Sequence, residues 1–243
     1  MDHLAVLSEL ESLGTEQNRK IYKRHGAKGE LYGVSFANLE KLKKTLKKNQ
    51  LSAQQQLDIA QKLWESGNYD ARIFATMIAD PTLVSESTLE KWLAELDSYG
   101  IAYQFATLAS QTKFAKEKMP IWIGSDSEWI GCAGWRIIAY LTMETGDLAD
   151  EFFEKYLQII EKDIHTQKNY VKDTMNDTLI AIGVRSPNLQ EKALKVAAKI
   201  GKVVVDHGET SCKTPDAAEY INKTVAYREK KNSQPKKKAS KAK

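Results

Sequence analysis

The stretch NYVKDTMNDTLIAIGVRSPNLQEKALKVAAKI, residues 169–200, decides the fold class of the chain. Apolar side chains recur every three or four residues on both sides of Ser186-Pro187, which is the period of an amphipathic helix and not of a strand. Serine caps helices well and proline is favoured at the first helical position, so a second helix is predicted to begin at Pro187. Two helices joined by so short a connection are expected to pack as antiparallel neighbours.

The same periodicity continues along the rest of the chain. Further helix starts are predicted at Asp80-Pro81 and Thr214-Pro215, where a capping residue again precedes a proline. The apolar positions with helical spacing are Phe36, Leu39, Leu42 and Leu46; Ala53, Leu57, Ala60 and Leu63; Ile130, Ala133, Ile137 and Leu141; and Phe153, Tyr156, Ile160 and Ile164.

Together these patterns predict roughly twelve or thirteen helices of three to four turns and no sheet. Capping boxes are predicted at residues 87–90 and 125–128, and the apolar run 203–205 is too short and isolated to imply strand pairing. Helix pairs of roughly 40 residues are typical of an all-α, HEAT-like or armadillo-like solenoid, here of roughly six antiparallel pairs with a concave face. Since no strict internal repeat is visible, an irregular all-α globule is the alternative.

Basic charge is concentrated in two segments of the 243-residue chain, whose formal net charge is +4. Residues 19–48 hold ten basic side chains against two acidic ones, and residues 228–243 hold eight against one. The second segment is too polar and self-repelling to fold alone. We therefore predict one solenoid domain over residues 1–227, followed by a disordered lysine-rich tail over 228–243.

The sequence lacks the marks of a membrane, secreted or metal-binding protein. It has no run of eighteen apolar residues and its first residues, MDHLAVLSELES, are acidic, so a cytoplasmic protein is predicted. Only two cysteines occur, eighty residues apart. In the loop DHGETSC, residues 206–212, His207 and Cys212 could serve as metal ligands or as a nucleophile pair, but a turn with Gly208 at positive φ is the simpler interpretation. Neither a metal nor a cofactor is predicted.

Lysines and arginines on two predicted helices and in the tail are the candidate DNA contacts. Each such cation can neutralise one backbone phosphate and release a counterion. Ordinary solvated helix faces explain the two helical groups equally well, and a solubility or targeting role is the alternative for the tail. The predicted DNA-binding residues are Lys20, Lys23, Arg24, Lys28, Lys44, Lys47, Lys48, Lys236, Lys237 and Lys238.

Three segments, taken in order, resemble the DNA alkylation repair family of AlkD-like proteins. They are Ile21–Leu42 (IYKRHGAKGELYGVSFANLEKL), Trp64–Asp80 (WESGNYDARIFATMIAD) and Lys168–Leu189 (KNYVKDTMNDTLIAIGVRSPNL). Members of this family are HEAT-like solenoids that grip DNA in a concave basic cleft. The resemblance therefore implies that fold, and double-stranded DNA held through its phosphate backbone as the partner of a monomer, with no membrane and no small-molecule cofactor involved.

The resemblance also implies where a catalytic site would lie. In active members a helix bearing Asp-x-Trp-Asp-x-x-Asp supplies a Trp and a carboxylate, which stabilise positive charge on the sugar as an alkylated base departs. A neutral phenol at the carboxylate position cannot give the same stabilisation. The positions of this chain that match the family's Trp, carboxylate, Arg and second Trp are Tyr99, Tyr103, Cys132 and Asp177.

Three functions follow as hypotheses. The leading one is a DNA-binding relative without efficient glycosylase activity. A second is a working glycosylase that excises 3-methyl- or 7-methylpurines through a rearranged carboxylate, Asp97 or Asp177, although Asp97 is expected to face another direction. The third, from a different class, is a solenoid that binds proteins and does not touch DNA.

Overall fold

The backbone is built almost wholly of helices, as the periodicity predicted. The computed structural model describes residues 1–143 and 148–233, and within these ranges it contains thirteen α-helices, one short 3₁₀ helix at Ile164–Thr166, and no strand. The helices are α1 His3–Ser12, α2 Glu16–Arg24, α3 Phe36–Lys48, α4 Ala53–Glu65, α5 Tyr69–Ile78, α6 Glu86–Ala94, α7 Tyr99–Ala109, α8 Ala115–Ile123, α9 Glu128–Leu141, α10 Asp150–Asp163, α11 Asn169–Gly183, α12 Pro187–Ile200 and α13 Ala217–Ser233.

Alternate helices pack side by side to form two layers. Helices α3, α5, α7, α9 and α11 contact one another in succession, and we call them the central row. Helices α4, α6, α8, α10 and α12 pack behind them, each against one or two neighbours in sequence. This is the stacked helix-pair arrangement of a HEAT-like solenoid, so the predicted fold class is confirmed. None of the described helices is both long and apolar enough to cross a membrane.

Stacked tryptophans join the first helix pairs. The rings of Trp64 and Trp92 are nearly parallel with centroids 4.5 Å apart, and both side chains are buried. The indole Nε1 of Trp64 donates to Glu95 at 2.9 Å, and Arg72 donates to the same carboxylate at 3.0 Å. The carboxylate of Glu95, directly after α6, thus accepts hydrogen bonds from a side chain of α4 and a side chain of α5, and it connects the three helices.

A buried carboxylate holds the connection between α2 and α3. Asp70 is 1% exposed, and it accepts hydrogen bonds from the backbone amides of Tyr32, Gly33 and Val34 at 2.7 to 3.0 Å. Gly33 has φ +79°, and a Cβ there would lie 2.6 Å from the backbone of Thr15, so only glycine fits. Two of the segments that carried the family resemblance thus meet at this point.

Of the three helix starts predicted from a capping residue before proline, one is confirmed, one is displaced by two residues and one is wrong. Ser186 caps α12, with Pro187 at its first position, as predicted. The last helix begins two residues after Pro215 because Asp216 provides the cap. The Asp216 side chain accepts a hydrogen bond from the backbone amide of Glu219. At Asp80-Pro81 no helix forms, since the Asp80 side chain accepts hydrogen bonds from Thr82 and closes a turn instead.

Both predicted capping boxes are wrong. At residues 87–90 the cap is Ser85, two residues earlier, because its hydroxyl reaches the Thr88 amide. At residues 125–128 the helix begins at Glu128 without a side-chain cap bond. A capping box does form at residues 52–55, where serine and glutamine exchange hydrogen bonds.

The helical part of the chain extends beyond the predicted domain boundary. Helix α13 continues to Ser233, so residues 228–233, which were assigned to a disordered tail, are helical. Arg228 contacts the body by donating to the carbonyl of Val184. The predicted contacts Lys236, Lys237 and Lys238 lie outside the described residues.

Candidate nucleic-acid interface

Three helices of the central row bring together a cation, a carboxylate and two phenols. The guanidinium of Arg136 lies 3.7 Å from the ring centroid of Tyr103 and 5.6 Å from that of Tyr140. Its Nη1 donates to Asp177 Oδ2 at 2.9 Å. We call Tyr103, Tyr140, Arg136 and Asp177 the Arg136 cluster. It forms because α7, α9 and α11 are consecutive in the row, although Arg136 and Asp177 are 41 residues apart in sequence.

Aromatic rings extend from this cluster toward the start of α11. Tyr99 stacks on Tyr170 with centroids 5.2 Å apart, and Trp129 lies 5.4 Å from the same Tyr170 ring. Tyr99 and Tyr103 are one helical turn apart, with ring centroids separated by 6.3 Å. The two tyrosines that the sequence predicts at the family's Trp and carboxylate positions therefore belong to one surface made by three helices.

The carboxylates of α11 are held in a poorly solvated place. Burial raises the pKa of Asp177, and the Arg136 guanidinium opposes that shift. Burial also raises the pKa of Asp173, one turn earlier, and the nearby charge of Asp177 adds to the effect. Desolvation likewise raises the pKa of the Tyr99 phenol. The guanidinium of Arg136 offsets the charge of Asp177 at 2.9 Å, which weakens the electrostatic stabilisation that this carboxylate could give an oxocarbenium-like sugar.

Cys132 does not join the cluster, although it matched the family's arginine in sequence. It is 3% exposed within the helix packing, and burial raises the pKa of its thiol to about 12. The cation that faces the tyrosines is Arg136, one turn further along α9. Its signal in the sequence was a single arginine in an otherwise apolar helix, EWIGCAGWRIIAYL, where a buried cation requires a partner.

Asp97 faces away from the cluster. Its carboxylate lies 3.9 Å from Arg72, beside Glu95, at the connection between α6 and α7. The rearranged carboxylate of the glycosylase hypothesis would therefore have to be Asp177, which is already paired with Arg136.

A groove bordered by lysines runs along the other end of the central row. Its volume is about 550 Å³, and residues of α3, α4, α5 and α7 line it. Its polar lining includes Lys43, Lys47 and Glu40 on α3, Asp80 after α5, and Gln104 and Gln111 on and after α7. Phe36, one of the apolar positions with helical spacing, is 45% exposed and lines the groove. We call this the lysine groove. It contains Lys47, one of the lysines predicted to bind DNA, and Lys43, which is not among the predicted contacts.

The other predicted contacts within the described chain are all exposed on or near α2 and α3. Lys20 lies 3.8 Å from Glu16 on the same helix. Lys23 lines an open depression of about 430 Å³ that also includes Arg19 and Tyr32. Among the described residues, no acidic side chain lies within 4 Å of Lys23, Arg24, Lys28, Lys44, Lys47 or Lys48.

The loop of residues 206–212 forms the predicted turn. Gly208 has φ +62°, and its amide donates to Asp206 Oδ1 at 2.8 Å. His207 and Cys212 also line a cavity of about 230 Å³ together with Tyr99 and Asp173, which the sequence did not reveal. Within residues 1–143 and 148–233, no group of three or more His, Cys, Asp or Glu side chains is arranged to hold a metal ion.

Comparison with known proteins places these features in context. A family model described as DNA alkylation repair enzyme matches residues 6–221. Uncharacterized proteins of Listeria monocytogenes and Listeria innocua are each 30% identical over 220 residues, covering 89% of this chain and 94% of theirs. A solved structure, described as a new family of proteins related to the HEAT-like repeat DNA glycosylases with affinity for branched DNA structures, superposes with a TM-score of 0.84. It is 30% identical, covering 94% of this chain and 95% of that one.

Proposed function

Because the chain belongs to the DNA alkylation repair family, we propose that it binds branched DNA and does not excise alkylated bases. The observation that carries the proposal is the Arg136 cluster. The sequence match puts Tyr103 at the family's carboxylate position, and the acid of the cluster, Asp177, is ion-paired with Arg136 at 2.9 Å. The cluster keeps aromatic and cationic groups that suit nucleic acid, whereas its single carboxylate is held by Arg136.

The basic side chains of α2 and α3 support DNA binding. Most of them are exposed and have no acidic partner within the described chain, so their charge is available to phosphates. Contacts of this kind give affinity without reading sequence, and the affinity falls steeply with salt. The lysine groove adds Lys43, Lys47 and two glutamine amides, all of them donors to phosphate or sugar oxygens.

The basic side chains lie in two separate places, which supports a branched substrate. Lys23 and Arg19 line one depression together with Glu11 and Glu30, whereas Lys43 and Lys47 line the groove against α7. Two duplex arms that diverge from one junction can each meet one of these surfaces. The similar solved protein with affinity for branched DNA has the same fold at 30% identity, which is consistent with this geometry.

The experiment compares junctions, duplexes and base release with one preparation. Fluorescence anisotropy would measure binding to a three-way junction and to a linear duplex of equal length, between about 50 and 200 mM salt. We expect the junction to bind more tightly and both affinities to fall steeply. Equal affinity for both would contradict recognition of branches, and undetectable binding would favour the protein-interaction hypothesis.

Incubation with methylated DNA tests the absence of glycosylase activity. We expect no release of 3-methyl- or 7-methylpurines above the rate without protein. Release that disappears in Asp177→Asn but persists in Asp58→Asn would show instead that Asp177 serves as a rearranged catalytic carboxylate. Asp58 is the matched control, because it is an exposed carboxylate on α4, behind the central row.

A further inference from the structure

The connection between α12 and α13 closes a cavity against the central row. Residues 201–216 contain no helix, and Gly208 lies close to the carbonyl of Arg24, at the end of α2. His207 and Cys212 from this connection, His25 after α2 and Tyr99 on α7 line one space of about 230 Å³. We call it the loop cavity. It is made by parts of the chain that are far apart in sequence, next to the Arg136 cluster.

One wall of the loop cavity is aromatic. Tyr99 and Tyr170 both line it and stack on each other with centroids 5.2 Å apart and ring planes within 30°. Trp129 supports Tyr170 from α9. Unpaired nucleobases stack on such rings, because every base presents a π face.

The second wall offers hydrogen-bond acceptors. Asp173 and Asp177 line the cavity from successive turns of α11. Asp177 gives one oxygen to Arg136, but no Lys or Arg lies within 4 Å of Asp173 in the described chain. Burial raises the pKa of this carboxyl, while His207, the Tyr99 hydroxyl and Arg136 oppose that shift. A half-buried carboxylate without an ion-pair partner costs free energy that hydrogen-bond donors of a ligand would offset.

The cavity lining also carries donors. Lys213, His25 and His207 line it, and a 2.9 Å hydrogen bond joins Nε2 of His207 to the Thr214 hydroxyl. The volume is below the roughly 300 Å³ at which pockets for drug-sized ligands begin, so it suits one planar base and not a base pair.

We propose that the loop cavity receives an unpaired guanine at a DNA branch point, an inference that rests on the proposed binding of branched DNA. Guanine has two adjacent donors, N1–H and the 2-amino group, that match the two oxygens of Asp173. Its O6 and N7 acceptors then face the donors Lys213 and His25. Adenine and cytosine have one exocyclic donor beside an acceptor, and thymine has one donor between two acceptors. None of these bases matches both the acceptor oxygens of Asp173 and the donors Lys213 and His25. Tyr170 and Tyr99 stack with the extruded ring.

The test uses three-way junctions that differ only in one nucleotide at the branch. The position is left fully paired, or carries an unpaired guanine, adenine, cytosine, thymine or hypoxanthine, which is guanine without the 2-amino group. We expect the guanine junction to bind about tenfold more tightly than the adenine or hypoxanthine junctions, the size of one bidentate pair. Asp173→Asn should remove this preference and leave affinity for the fully paired junction unchanged. Asp58→Asn, the matched control, should keep both the preference for guanine and the affinity for the fully paired junction.

The outcomes separate the two proposals. Equal affinity for all five unpaired bases, with the paired junction still preferred over duplex, would overturn the guanine site alone. No junction binding at all would overturn both. Millimolar deoxyguanosine monophosphate should compete poorly; if it abolishes the guanine preference, the ligand is a free nucleotide and not a base in DNA. Tyr170→Leu, which keeps an apolar side chain, is a second variant that should weaken binding of every junction with an unpaired base.

Discussion

The lysine groove and the loop cavity lie along the same row of helices, yet their charged side chains are paired differently. Glu40 and Asp80 also line the groove, but among the described residues no acidic side chain forms an ion pair with Lys43 or Lys47. In the cavity region the nearest arginine, Arg136, is paired with Asp177, and Asp173 adds a further negative charge. Helix α7 contributes to both, through Gln104 and Tyr99. Under the two proposals, attraction of the DNA backbone and recognition of an unpaired base therefore belong to different parts of one surface.

The largest effect is expected from reversing charge in the groove. Lys43→Glu combined with Lys47→Glu should weaken DNA binding about a hundredfold at low salt. The double variant should also make the slope of log affinity against log salt concentration shallower by about two, because two phosphate contacts are lost. Anisotropy titrations over a salt series measure both. Lys62→Glu with Lys162→Glu is the matched control on the outer helices α4 and α10. If the control loses as much affinity as the groove variant, net charge and not the groove governs binding.

Breaking the ion pair of the Arg136 cluster should affect folding. Asp177→Asn leaves the Arg136 charge without its partner over the Tyr103 ring, and we expect a loss of about 2 kcal/mol in the free energy of unfolding. Urea denaturation followed by circular dichroism measures it. Asp58→Asn should change stability by less than about 0.5 kcal/mol. An unchanged stability in Asp177→Asn would mean that the pair contributes nothing to the fold.

Removing the unpaired acid of the cavity should stabilise the protein. Burial raises the pKa of Asp173 above its ordinary value of 3.8, so the folded state binds this proton more tightly than the unfolded state does. Protonation of Asp173 therefore adds to the free energy of unfolding in acid, and this added stability is lost as the pH rises through the raised pKa. At about pH 7, Asp173→Asn should gain up to about 1 kcal/mol. The gain should shrink as pH falls toward 3.8, which melting curves at several pH values would check.

The smallest effect concerns the two thiols. Cys212 is exposed beside the loop cavity, whereas Cys132 is buried with its thiol pKa raised to about 12. A thiol reagent at about pH 8 should label one cysteine per folded chain quickly, and Cys212→Ser should remove that labelling with little change in stability. A bound junction with an unpaired guanine should slow the reaction. Fast labelling of both thiols would contradict the burial of Cys132.

The sequence predicted the helices well because their signals are local. Apolar spacing and the Ser186-Pro187 start are properties of a few neighbouring residues, and α12 begins where they indicate. Predictions of the exact cap failed where two candidates competed, as between Ser85 and Ser87, because the choice depends on which hydroxyl reaches the backbone amide. The turn at Asp80 shows the same competition between side chain and helix.

The candidate site could be predicted only in part. The family resemblance directed attention to Tyr99, Tyr103 and Asp177, which lie on one surface. It matched Cys132 to the family's arginine, whereas Arg136 is the cation over Tyr103. The single arginine of α9 indicated a buried cation in need of a partner, but which residue that partner is depends on how the helices pack. The loop cavity was invisible because it needs α2, α7, α11 and a connection near the C-terminus to meet, which no local pattern encodes.

The Asp70 carboxylate has a consequence for how phosphate can be bound. Three successive backbone amides, those of Tyr32, Gly33 and Val34, form the kind of concave donor set that attracts anions, and it stands among the basic residues of α2 and α3. Asp70 occupies it from within, as a built-in substitute for phosphate. Under the proposed function, DNA would therefore find these amide donors already taken and would bind through the long side chains of lysine and arginine, which adapt to differently angled arms.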